Sequence, residues 1–146
     1  MKAHKDKLPK IANLFNRDGG PEPPVGISVP QAMYDDFVKI SEPIQKIRPD
    51  YPFEVKVREP RKRPTRMGGT DASVFAIEGV PTLGFTTEDF KGYDFDYGEI
   101  WHTERDLYTK NIPEYQEHTA TVTAIIALGV ANLDKQLSRE GLYTEE

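Results

Sequence analysis

Ten of the twelve prolines in this 146-residue chain fall before residue 65. Proline fixes φ and removes a backbone donor, so it breaks helix interiors and stays out of central strands. Loops and short elements are therefore predicted for the first half, and the long regular elements for the second. The clearest of these begins at Pro113, a residue suited to the first helical position. Behind it Tyr115, Val122, Ile125, Ile126, Gly129, Leu133 and Leu137 form one apolar stripe. Such a stripe requires a sheet or a second helix to cover it.

Ile11–Asn16 has little polar alternation and reads as an interior strand. It stops at Asp18-Gly19-Gly20, and Pro21 to Pro24 continue the loop. The spacing Met33, Phe37, Ile40, Ile44, Ile47 predicts a helix, with Pro43 expected to kink or split it near Ser41. Phe53 to Arg58 alternates with period two, as a half-exposed strand near a sheet edge does. A proline-broken basic loop follows from Arg58 to Arg66, expected to be a solvated face unless one arginine reaches a substrate carboxylate. Thr70 or Asp71 is placed to cap a helix from Ala72 to Glu78, which Gly79 ends. Val80 to Phe85 reads as a buried strand. The domain thus spans residues 11–137, after a charged lead over 1–10 and before a polar tail over 138–146 that is expected to fray.

Apolar content is slightly below the usual ~45–50% of globular domains, so the core is thin. A net charge of −5 and a pI near 5.3 argue against a general nucleic-acid partner. No stretch approaches the ~18 apolar residues of a membrane span. Met1 to Lys7 leads into Leu8-Pro9-Lys10 and not into the apolar run of a signal peptide. Cysteine is absent, so no thiolate is available as a metal ligand, and the redox compartment stays open.

The chemistry-bearing residues gather between Gly68 and Asp106. His102 lies in a polar loop just past a strand-like run, with Asp106 four residues on. A lone histidine here is either a surface residue or a metal ligand whose other nitrogen a carboxylate or carbonyl holds. His118 falls on the edge of the long helix's apolar stripe and reads as packing, and His4 as solvated. Asp18 is a turn aspartate unless it converges with His102 on one cleft. Asp71 serves as a helix cap, while Gly68-Gly69 before it lets backbone approach a neighbour closely. These glycines are not a phosphate loop, since its further glycine and lysine are missing. Nor is there a Gly-x-Ser-x-Gly elbow to support serine catalysis.

Four segments now stand in order: Leu14–Gly20, Gly68–Ala72, Gly79–Phe85 and Trp101–Asp106. In that order they resemble the co-catalytic di-zinc aminopeptidases, a superfamily that includes carboxypeptidase Q-like enzymes, glutaminyl cyclases and transferrin-receptor ectodomains. The resemblance implies a three-layer α/β/α fold with a mixed, mostly parallel sheet, of which this chain carries the C-terminal portion. It makes Asp18 a ligand of one zinc and His102 a ligand of the other. Gly68, Gly69, Thr70 and Asp71 would line the substrate cleft, and Thr103 and Asp106 would support the His102 loop. The implied activity is hydrolysis of a peptide substrate by an exopeptidase, with two zinc ions ~3.5–4 Å apart activating a water and a glutamate as general base.

The chain departs from that pattern in two places. Ala72 stands where many members have histidine. The seventeen residues before Asp18 lack both the His-x-Asp pair and the Glu-Glu pair that complete the site. His4-Lys5-Asp6 has the spelling of the first pair, but sits too close to Asp18. The expectation is a chain with one ligand per zinc and no base, inactive alone, whose partner is the N-terminal part of the catalytic domain. For that parent the resemblance implies a periplasmic or secreted location. Two other activities stay open: a single-zinc glutaminyl cyclase, and a non-catalytic interaction domain on the same fold.

Overall fold

The computed structural model describes residues 2–144; Met1 of the lead and Glu145–Glu146 of the tail lie outside them. The chain is α/β. Strand β1 (Pro24–Val29) is central, flanked by β2 (Glu54–Val57) and β3 (Phe85–Thr87). β1 and β2 are parallel, with Ile27 beside Val55 and Val29 beside Val57. β3 is antiparallel to β1, with Phe85 beside Ile27. Helix α1 (Tyr34–Ile47) makes the crossover from β1 to β2 that a parallel pair requires. Helices α2 (Ala72–Ile77), α3 (Tyr97–Ile100) and α4 (Pro113–Ala131) follow.

Register divides the sheet into two unlike faces. Ile27, Val29, Val55 and Phe85 share one, and there they join Phe37, Ile40 and Ile44 of α1 and Val122 and Ile126 of α4 in a single core. Gly26, Ser28, Glu54, Lys56 and Thr86 share the other, where Glu54, Lys56 and Thr86 are exposed. Helices α1 and α4 therefore form one layer over the apolar face. They pack tightly at Gly129, where a Cβ would run into the Ile40 side chain.

The prolines mislead twice. Pro21 to Pro24 conceal β1, although Val25-x-Ile27-x-Val29 carries the two-residue period of a strand. Pro43 does not split α1, which runs unbroken through it. It sits exposed, where solvent can take the freed carbonyl, while the buried Phe37–Ile40–Ile44 stripe holds the helix.

Ile11–Asn16 is extended but not a strand. The Leu14 amide donates to the Pro81 carbonyl at 2.9 Å. Beside it the Asn13 side chain replaces a ladder rung, accepting from the Leu83 amide at 2.8 Å and donating to its carbonyl at 3.3 Å. Val80 and Leu83 are buried without strand pairing, and β3 starts only at Phe85. α4 stops at Ala131, because the Asn132 side chain donates to the Leu128 carbonyl. Leu133 and Leu137 thus lie past the helix.

The tail does not fray through Thr144. Leu137 and Leu142 are buried, and the Arg139 guanidinium donates to the carbonyls of Gly79, Leu8 and Ile11 at 3.0–3.2 Å. In the basic loop, Arg63 donates through Nε and Nη2 to the Ile77 carbonyl at 2.9 and 2.6 Å, so it closes the end of α2. Among the described residues no helix is long and apolar enough to cross a membrane.

Replacing a helix-interior glycine with alanine ordinarily stabilises by about 1 kcal/mol. At Gly129 the sign reverses, because Ile40 is β-branched and packed. Gly129→Ala is expected to destabilise by about 1–3 kcal/mol, and Ile40→Ala in the same chain to relieve that clash. Urea unfolding of both variants checks this.

Candidate functional site

The Asp18 turn is braced from within. Arg17 Nη2 donates to the Gly20 carbonyl at 2.7 Å and also to the Glu22 carbonyl. Burial pulls the Arg17 guanidinium below its ordinary value, with Glu22 and Asp18 opposing. Gly20 closes the turn at φ +80, and a Cβ there would meet the rings of Phe95 and Tyr97 within 3.2 Å. Only glycine suits both that backbone and that contact.

The segment carrying His102 packs against this turn. The run before it is a helical turn and not a strand, since Asp96 caps it by accepting from the Gly98 amide at 2.8 Å. The Tyr97 hydroxyl donates to the Asp18 carbonyl at 3.0 Å. Trp101 and Thr103 amides then close the turn back onto Tyr97 and Ile100. His102 sits at its tip with φ +56, in the left-handed region where histidine is several-fold enriched. Asp18 and His102 are both exposed, so both donors are free to meet a ligand.

Thr103 does tie the His102 turn. Its hydroxyl donates to the Glu99 carbonyl at 2.7 Å and accepts from the Arg105 amide at 3.2 Å. Asp106 does not orient His102. It lines a cleft of about 580 Å³ with Arg17, Gly20, Ile100, Lys110 and Gln116, and His102 makes no side-chain hydrogen bond among the described residues. The Asp18 turn and the loop after His102 thus wall one cavity.

Gly68, Gly69, Thr70 and Asp71 stay apart from it. All four are exposed, and none lines the cleft. No atom outside its own chain neighbours lies within 4 Å of a Cβ built on Gly69, so the expected close approach is not made there. Neither Thr70 nor Asp71 caps α2 through its side chain. The Thr70 carbonyl instead accepts from the Ser73 amide and hydroxyl, at 3.1 and 2.7 Å.

A polar cluster around the start of α4 escaped the sequence reading. Glu114 accepts from the Tyr51 hydroxyl at 3.0 Å and the Tyr93 hydroxyl at 2.7 Å, and pairs with Lys91. Lys91 also pairs with Asp50 at 3.4 Å. Tyr115 donates to Asp89 at 2.5 Å and accepts from the Lys91 amide at 3.0 Å. His118 is packing, as its place on the stripe implied. Its ring stacks on Tyr51 at 3.9 Å and Nε2 donates to the Pro24 carbonyl at 2.9 Å.

These contacts set the ionisation of the cluster. The Lys91 ammonium, followed by the two tyrosine hydroxyls, holds Glu114 down at about 2. Burial, followed by the Asp89 bond, pushes Tyr115 up to about 12. Burial also lowers the pKa of His118, against the Pro24 hydrogen bond. No local spacing marks this cluster, since its members come from three separate segments, residues 50–51, 89–93 and 114–115.

Among the described residues no three His, Cys, Asp or Glu side chains are grouped to hold a metal ion. Compared with protein-family models, with curated proteins and with solved structures, the chain matches none.

A carboxylate whose pKa falls on folding contributes stability that is complete above its unfolded value and is lost as pH drops through the folded one. For Glu114 that window runs from 4.5 down to about 2. Glu114→Gln is expected to lower the melting temperature near neutral pH. It should also flatten the loss across that window, as melting curves at a series of pH values would record.

Proposed function

We propose that this chain is the C-terminal portion of the catalytic domain of a zinc-dependent exopeptidase, with Asp18 and His102 each directed to one ion of a zinc pair. The observation that carries this reading is the Tyr97 hydroxyl on the Asp18 carbonyl. It holds the Asp18 turn against the turn that presents His102; both donors are exposed, and their neighbours Arg17, Gly20, Ile100 and Asp106 line one cleft. A peptide held in that cleft would meet Arg17, Lys110 and Asn111 along its wall. The three-layer, mostly parallel sheet belongs to this proposal too, as the form of the complete domain.

Carboxylate and imidazole are donor types that zinc accepts, but a catalytic zinc usually takes three ligands from protein. The described residues offer no group of three. This donor set therefore does not fit a complete zinc centre, and no catalytic step is derived through one. In this reading the other ligands and the general base are carried by polypeptide outside these residues. The lack of a three-ligand group also favours a second reading, a non-catalytic interaction domain on the same fold.

Zinc content and aminoacyl-anilide hydrolysis separate the two. Both would be measured on the 146-residue chain and on the polypeptide extended through any coding sequence upstream of Met1. The chain alone is expected to hold less than one zinc and to be inactive. The extended form is expected to hold about two ions and to hydrolyse the anilide. In the extended form, Asp18→Asn or His102→Gly should each lower hydrolysis at least about 100-fold, beyond the usual cost of losing a supporting residue. Glycine suits the left-handed backbone at position 102, so the second variant should remain folded. An extended form that lacks His-x-Asp and Glu-Glu motifs and stays inactive would sink the enzyme reading.

A further inference from the structure

The outer edge of the sheet carries an inference independent of the peptidase reading. β2 is an end strand of the three. The Arg58 amide donates to the Val29 carbonyl at 2.8 Å. By alternation Glu54 and Lys56 turn their backbone groups toward β1, whereas Val55 and Val57 turn theirs outward. Among the described residues no backbone partner meets those outward groups. Val57 is 46% exposed, and the Glu54 and Lys56 side chains are 68% and 63% exposed. An open edge of this kind is a template for another strand.

The sequence of the edge states which strand. Laid antiparallel on itself about Val55, Phe53-Glu54-Val55-Lys56-Val57 is self-complementary. Val55 falls opposite Val55, Phe53 opposite Val57, and Glu54 opposite Lys56, twice. The outward backbone groups belong to Val55 and Val57, so the Val55–Val55 pair and the two Phe53–Val57 pairs take the hydrogen-bonded positions. The Glu–Lys pairs then occupy the non-hydrogen-bonded positions, where side chains come closest. Opposite charges there stabilise and like charges destabilise. Exposed Val57 would be covered by the partner copy's phenylalanine.

We propose that the β2 edge binds a second copy of this chain, antiparallel and in register about Val55, in a symmetric dimer with a continuous six-stranded sheet. Two-fold symmetry makes each contact occur twice, so charge reversal provides the test. Mass would be followed by light scattering over a concentration series. The wild-type chain is expected to dimerise, less tightly as salt rises. Glu54→Lys alone sets lysine against lysine, and Lys56→Glu alone sets glutamate against glutamate. Each should weaken the dimer at least about ten-fold. An equimolar mixture of the two single variants should recover it as a heterodimer, and the double reversal as a homodimer. Both side chains are exposed, and the recovery in the mixture shows that each variant is folded. A wild-type chain that stays monomeric overturns the proposal. So do single reversals that dimerise like wild type, or a mixture that does not recover.

Discussion

The stack of Tyr51 on His118 is the contact on which the other elements depend. The two rings lie 3.9 Å apart and nearly parallel, and both residues are almost fully buried. Tyr51 follows α1 and leads into β2, while His118 lies in the second turn of α4 and holds the Pro24 carbonyl where β1 begins. One stack therefore joins two helices and two strands. Its edges are closed by charge: Arg48 and Lys91 lie over the Tyr51 ring at 4.9 and 4.6 Å. Glu114 takes the Tyr51 hydroxyl, so the ring is buried without stranding its polar end. A buried histidine is costly if charged, and desolvation, joined by Arg48 and Lys91, lowers its pKa against the Pro24 hydrogen bond and Asp50.

The helices cover one sheet face, and the Asp18 and His102 turns are joined by one side-chain hydrogen bond, from Tyr97. Tyr97 spans 79 positions to reach Asp18, while Arg17, Asp96 and Thr103 hold each turn internally. This division suits a ligand site, since the geometry is set by short local bonds and the donors stay in solvent. The left-handed backbone at His102 fits the same logic. Backbone in that region persists only where its surroundings hold it, and here the turn closures on Tyr97 and Ile100 do so.

Much of the frame was legible because it is local. The α1 stripe, the alternation in β2, the glycine ending α2 and the proline starting α4 each state their own conformation. What was hidden is non-local. β1 was masked by the prolines that lead into it, the last of which, Pro24, is its first residue, and Pro43 was tolerated because burial of Phe37, Ile40 and Ile44 outweighs one lost bond. The Ile11 segment looked like a strand, and it does lie beside residues 81–83, but Asn13 makes the bonds a ladder would make. The tail looked polar, yet its Arg139 is spent on the carbonyls of Leu8, Ile11 and Gly79. At the site, spacing named Asp18 and His102 but could not name Tyr97, the residue that joins their turns. Nor could it separate them from Gly68–Asp71, which the fold keeps on its own exposed turn.

The account rests on the Asp18 and His102 turns being held together by Tyr97. The chain has no cysteine, so Asp18→Cys and His102→Cys introduce the only two thiols for spin labels. Pulsed electron paramagnetic resonance should give one narrow distance distribution, which broadens when Tyr97→Phe removes the hydroxyl. A broad distribution at the outset, or a narrow one indifferent to Tyr97→Phe, would contradict the account.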